Sequence, residues 1–149
     1  MRQKKKAIIL LAEDDPGDQK LTKKAFSDNN IDNELRIVED GEEALDYLLR
    51  RGKYGDPESS PTPDIFLLDL NMPKIDGRQV LEEMNRNPDC PKVPVIVLTT
   101  SKQEEDIIRS YDLGIKSYIT KPVDFNSFVE AIKLVGQYWF QLVVLPPKL

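Results

Sequence analysis

The sequence predicts a single α/β domain, a parallel sheet of five strands covered by helices on both faces. Three observations predict it. Short, almost wholly apolar runs recur along the chain. Each is followed by a stretch with apolar residues at helical spacing, most of them behind an N-terminal cap. The chain has 149 residues, room for one proper core and too little for two.

The first run, residues 7–12, holds Ile8, Ile9, Leu10 and Leu11 between alanines, the pattern of a strand buried on both faces. Asp15 as cap and Pro16 at the first helical position then open a helix carrying Leu21, Ala25 and Phe26. Residues 35–38 read as a short strand, and Asp40 with Glu43 three residues on opens a helix with Ala44, Leu45, Leu48 and Leu49 on one face. Residues 52–63, rich in Gly, Pro and Ser, are expected as a loop. Residues 64–70 form another buried strand ending on Asp69, and Pro73 forces the chain to turn after it. A helix over 77–86 presents Val80, Leu81 and Met84. A strand over 93–98 follows, then a helix opened by Ser101 and Glu104 that carries Ile107, Ile108, Tyr111 and Leu113. Residues 116–119 make the last strand, closed by Lys121 and Pro122, and Asp124 caps a final helix expected to run nearly to the C-terminus.

Five strand–helix repeats imply a parallel sheet, and right-handed crossovers leave few ways to wind it. The flavodoxin-like, doubly wound order 2-1-3-4-5, in three α/β/α layers, is the expected topology.

Composition narrows the chemistry. The chain has no histidine, which removes Ser-His-Asp and Cys-His nucleophiles, His-bearing zinc sites and phosphohistidine on this chain. Cys90 is the sole cysteine, so no internal disulfide forms. The net charge is −5 and the only basic cluster is Lys4–Lys6, which argues against a nucleic-acid partner. No apolar run approaches the roughly 20 residues that span a bilayer, and the N-terminus lacks a signal-peptide core. A cytoplasmic protein with no membrane partner is expected.

In such sheets ligands bind beyond the carboxyl ends of the strands, where the strand order reverses. Glu13 and Asp14 end the first strand there and Asp69 the third, with Asp15 spent as a cap. Two carboxylates brought to about 4 Å repel by roughly 4 kcal/mol at an effective dielectric near 20, so a cation is expected among them. All-oxygen donors select a hard metal, Mg²⁺ or its close substitute Mn²⁺. Lys121 and the Thr99-Thr100 pair emerge on the same edge. A metal, an ammonium and a hydroxyl together suit a bound phosphoryl group.

These residues resemble a known family. Glu13-Asp14, the run Leu67-Leu68-Asp69-Leu70-Asn71-Met72-Pro73 with Asp76-Gly77, Leu98-Thr99, Tyr118 and Lys121-Pro122 are together similar to the receivers of bacterial response regulators, over residues 7–140. The resemblance implies that Asp69 is the phosphoacceptor. It implies that Asp14 ligates Mg²⁺ directly, Glu13 through water and Asn71 by its backbone carbonyl, so that the Asn71 side chain matters less. Lys121 and Thr99 would contact the phosphoryl group, and Tyr118 would be the aromatic switch. The 52–63 insertion and Tyr138-Trp139-Phe140 look like the small receivers that serve cyanobacterial phytochrome histidine kinases. Thr100, where many receivers have Ala, is expected to crowd the site and modulate its rates.

The resemblance implies a stand-alone receiver, a switch rather than an enzyme, that takes phosphate from a sensor kinase and signals by protein contact or onward phosphotransfer. Two rivals differ in class. An aspartyl-nucleophile phosphohydrolase uses a second Asp two residues after the first, and Asn71 stands there. A phosphorylation-independent pseudo-receiver would not need the acid, Thr and Lys set. The whole chain, 1–149, is read as one domain with a C-terminal extension over 138–149. Its last helix shows two apolar stripes, one with Phe125, Phe128, Ile132 and Val135 and another with Ala131, Leu134, Tyr138 and Leu142. The second stripe predicts a homodimer whose interface includes Leu134, Tyr138, Trp139, Phe140 and Leu142.

Overall fold

The computed structural model describes residues 6–29, 33–115 and 117–143, leaving aside the side chains of Gln137, Tyr138 and Leu142. Strands β1 (Ala7–Ala12), β2 (Asn33–Val38), β3 (Ile65–Asp69), β4 (Val95–Thr99) and β5 (Ser117–Thr120) form one sheet in the order β2-β1-β3-β4-β5. Every pairing is parallel. Around it lie α1 (Pro16–Asp28), α2 (Gly41–Leu48), α3 (Gly77–Arg86), α4 (Lys102–Arg109), α5 (Phe125–Val135) and α6 (Gln137–Val143).

Every residue of β1 and β3 is buried, which is why these strands read as unbroken apolar runs. Because side chains alternate along a strand, the same strands feed two cores. Leu10, Phe66, Leu68 and Val97 meet Leu45, Val80, Leu81 and Ile108 of α2, α3 and α4. Ile9, Leu11, Leu67 and Ile96 meet Phe26 of α1 and Phe128 and Ile132 of α5.

The caps form where the sequence places them. Asp40 accepts from the Glu43 N–H at 2.7 Å, Ser101 from Glu104 at 3.1 Å and Asp124 from Ser127 at 2.7 Å. The reciprocal arm of two expected capping boxes lands one residue early: Glu43 accepts from the Glu39 N–H and Glu104 from that of Thr100.

Other elements differ from the sequence expectation. The final helix is not continuous. It stops at Val135, and Gly136 takes φ +145°, which few residues but glycine adopt. The chain then turns into α6, which lays Trp139, Phe140 and Val143 against the α1/α5 core of the same chain. β4 begins at Val95 rather than 93, since Pro94 has no N–H for a ladder. α4 ends at Arg109, so Tyr111 and Leu113 lie beyond it. The 52–63 insertion is tied down rather than loose. It opens with a 3-10 turn, Gly52–Tyr54, and Tyr54 packs on Tyr47 with ring centroids 5.0 Å apart. Tyr47 Oη donates to the Pro61 carbonyl at 2.8 Å, and Arg50 reaches the Ser60 carbonyl and Thr62 Oγ1. Among the described residues no helix is long and apolar enough to cross a membrane. Lys4, Lys5, Lys116 and residues 144–149 lie outside the described residues.

Candidate functional site

The sheet order reverses between β1 and β3, and the strand ends there are level. Asp69 of β3 pairs with Leu98 of β4, and Thr99 with Thr120 of β5. The Lys121 N–H donates to the Thr99 carbonyl at 2.8 Å, holding the exit of β5 alongside β4. Gly77 brings α3 onto the end of β3, since a Cβ there would lie 2.7 Å from Leu70 Cα and 2.8 Å from the Asp69 carbonyl oxygen.

At this edge Glu13 and Asp69 are each only 1% exposed, whereas Asp14 is exposed. Carboxylate oxygens of the three lie within 4.8 Å of one another. Lys121 Nζ spends its three protons on Glu13 Oε1 at 3.0 Å, Asp18 Oδ2 at 3.0 Å and Asp69 Oδ2 at 3.1 Å. The other Asp69 oxygen, Oδ1, accepts from the Asn71 N–H at 3.1 Å. Both oxygens of Asp69 are therefore oriented.

The electrostatics follow from this crowding. Burial, and then the charge of Asp69, push the Glu13 carboxyl up from 4.5 to about 7, against the opposing hydrogen bond from Lys121. Burial alone would lower the Lys121 pKa, but hydrogen bonds to Glu13, Asp18 and Asp69 more than reverse it and hold the ammonium charged. One ammonium on Glu13, Asp18 and Asp69, with Asp14 beside them, leaves negative charge uncompensated. An all-oxygen set with one exposed carboxylate fits a hard divalent cation that keeps part of its water shell.

A family profile for the response regulator receiver domain matches residues 9–133. The chain belongs to that family. The response regulator Rcp1 of Synechocystis sp. is 42% identical over 139 residues, 93% of this chain and 92% of that protein. The crystal structure of the Mn²⁺-bound form of Rcp1 matches with a TM-score of 0.69, over 95% of this chain and 99% of the other. The bacteriophytochrome response regulator RtBRR, 40% identical, matches with a TM-score of 0.83 over 96% and 86% of the two chains. The phosphorylated cyanobacterial phytochrome response regulator RcpA, 38% identical, matches with a TM-score of 0.73 over 96% and 100%.

Within this receiver domain the structure brings together Glu13, Asp14, Asp69 and Lys121, with Thr99 buried at the end of β4. Tyr118 is half-buried on β5, where Oη donates to the Ile115 carbonyl at 3.5 Å and the Arg109 guanidinium lies 4.2 Å above the ring. Burial raises its pKa. Thr100 is exposed and its hydroxyl turns to Glu104 Oε2 at 3.3 Å. The Asn71 side chain is engaged, Nδ2 donating to Glu104 Oε2 at 2.6 Å. Of the expected dimer surface, Leu134 is 65% exposed, Trp139 and Phe140 pack on their own chain, and the side chains of Tyr138 and Leu142 lie outside the described residues.

Three residues of the site were not singled out by the sequence. Asp18 sits in the first turn of α1, where an acid is expected for the helix dipole alone, so nothing distinguished it. Glu104 carried a sufficient local explanation as a cap. Arg109 looked like an ordinary charge in the last turn of α4.

Proposed function

We propose that Asp69 accepts a phosphoryl group from the phosphohistidine of a sensor histidine kinase, and that the kinase is of the phytochrome type. One observation carries the first part: a buried Asp69 with one oxygen on Lys121 and the other on the Asn71 N–H, inside an acid cluster at the sheet's reversal point. Rcp1, RtBRR and RcpA, similar over most of the chain, support the second.

An Asp69 oxygen forms the new O–P bond in line as the N–P bond to the donor imidazole breaks, the imidazole keeping the electron pair and taking up a proton. Lys121, already at Asp69, exchanges carboxylate partners for phosphoryl oxygens. Thr99 supplies a hydroxyl from the end of β4. Glu13, Asp14, Asp69 and the Asn71 carbonyl would hold Mg²⁺ or Mn²⁺, which supplies positive charge to the phosphoryl oxygens when bound. The product carries roughly one more negative charge than the free carboxylate, and this drives the switch. Hydrolysis of the acyl phosphate resets it. Asn71, with no proton to trade and its amide tied to Glu104, does not serve as the general acid of a phosphohydrolase.

Radiolabelled phospho-kinase with Mg²⁺ should label the wild type and leave Asp69→Asn unlabelled. Equal labelling of both would overturn the assignment. Millimolar Mg²⁺ should raise the melting temperature of the wild type, a cation at 100 times its Kd adding about 2.7 kcal/mol. Asp14→Asn should be more stable without metal and should lose that gain. Pairing of two copies through the C-terminal helices rests on Leu134 among the described side chains. Sedimentation near twice 17.1 kDa, lost in Leu134→Asp, is the outcome it requires.

A further inference from the structure

α4 is held to the domain by little apolar packing. Ile108 is its one buried side chain, while Ile107 is 58% exposed. Its first turn is capped by Ser101, and a single carboxylate ties that turn to the loops beside it. Glu104 accepts from three donors: the Thr100 N–H at 2.9 Å through Oε1, and the Thr100 hydroxyl at 3.3 Å and Asn71 Nδ2 at 2.6 Å through Oε2. Those donors belong to the two loops beside the reactive carboxylate. Thr100 directly follows Thr99, and the Asn71 N–H is itself bonded to Asp69 Oδ1.

We propose that Glu104 is a positioning residue, a latch that joins α4 to both loops flanking Asp69 and holds the unphosphorylated arrangement. The inference rests on Asp69 as phosphoacceptor and adds how the rest state is kept. For Thr99 to move toward phosphoryl oxygens, Thr100 must move with it. Thr100 is bonded to Glu104, and Glu104 to Asn71 on the far loop. Either the three-way contact breaks, or α4 moves as a piece against the β3–α3 loop. The first costs Glu104 its Thr100 donors, and the second costs the Asn71–Glu104 bond, a short charge-assisted one whose loss opposes the switch. A second reason points the same way: the Glu104 carboxylate places negative charge beside loops that must accommodate an incoming anion.

Glu104→Gln separates the latch from the cap. Gln Oε1 still accepts from the Thr100 N–H, so α4 keeps its first turn, but the amide nitrogen cannot accept from Asn71. Asn71→Ala cuts the same bond from the other side. The probe is beryllofluoride with Mg²⁺, a phosphoryl mimic, titrated into the full chain and followed by amide NMR, with melting temperature recorded in parallel. Each variant should bind beryllofluoride about five- to tenfold more tightly than the wild type, and the double variant no more tightly than Glu104→Gln alone. Phosphorylation by phosphoramidate should accelerate in the same order. Unchanged affinity in Glu104→Gln, or effects that add in full, would overturn the latch. A wild type that binds no beryllofluoride would instead overturn the phosphoacceptor reading itself. A residue that merely stabilised α4 would lower the melting temperature and leave the affinity where it was.

Discussion

The floor of the site and its rim are built from different forces. The floor, Glu13, Asp69 and Thr99 on strand ends, lies beneath the sheet's reversal point, with every one of these side chains no more than 1% exposed. On the α1/α5 side it is backed by Phe128, Ala131 and Ile132 of α5, all buried, with Phe128 against Phe26 at 4.6 Å between ring centroids. The rim, Asn71, Thr100 and Glu104, is held by hydrogen bonds at partly exposed positions, and its helix α4 by Ile108. Apolar packing has no sign to reverse, and adding one negative charge leaves it intact. Polar ties at the mouth of an anion site change as soon as that charge arrives. The Thr99 hydroxyl apart, the floor is the part that holds still and the rim the part that answers.

The largest effect tests the floor. Phe128→Ala should cost about 3–5 kcal/mol, the range for truncating a buried aromatic, since it empties the α1/α5 core and removes the Phe26 contact. Urea denaturation measures it, and a loss below about 1 kcal/mol would show that α5 is not the anchor described here.

The next effect uses pH. Glu13 is ionised above 4.5 in the unfolded chain and only above about 7 in the fold. Between those values the folded state holds the extra proton, so stability must fall as pH rises from about 4.5 to 7, then level off. The fall is on the order of 3 kcal/mol, at 1.36 kcal/mol per pKa unit. Glu13→Gln should flatten the slope, and so should saturating Mg²⁺, by favouring the carboxylate. A wild type whose stability without metal is level across that range would contradict the crowding.

On the rim, Ile108→Ala should cost about 2 kcal/mol, the low end for its class, because α4 has little else to lose. Hydrogen exchange should place the loss locally. Amides of α4 should exchange faster while those of α5 keep their protection. Equal acceleration in both helices would erase the distinction between floor and rim.

The floor was legible in the sequence, and so were Asn71 and Thr100 on the rim, but the tie that joins them through Glu104 was not. Buried strands announce themselves, because two-sided burial removes every polar residue from Ile65 to Leu68, and the carboxylates that end them then stand out. Caps such as Asp40 and Asp124 were legible because their bonds are local. The Asn71–Glu104 bond joins residues 33 apart, and no spacing rule reaches that far. Glu104 was further hidden by a sufficient local reading, the S-x-x-E cap. Asp18 was hidden in the same way by the helix dipole, although its carboxylate is one of three on Lys121. The break at Gly136 was missed because apolar spacing continued on both sides, and a glycine within a periodic run is tolerated often enough to be read through.

The smallest effect belongs to Thr100, and it follows from which of its two bonds counts. Its side chain is exposed and touches Glu104 through a 3.3 Å hydroxyl contact, while its backbone N–H makes the shorter bond, 2.9 Å, to the other oxygen of the same carboxylate. Thr100→Ala deletes the hydroxyl and keeps the N–H, so Glu104 stays in place and so does its bond to Asn71. Stability should change by less than about 0.5 kcal/mol, as for exposed positions generally. Beryllofluoride affinity should move less than about twofold, well short of the change expected for Glu104→Gln. Both are read from the same titration and melt. A Thr100→Ala variant that matched Glu104→Gln in affinity would move the tie from Asn71 to the hydroxyl, and the rim would then be held within the β4–α4 loop rather than across the mouth of the site.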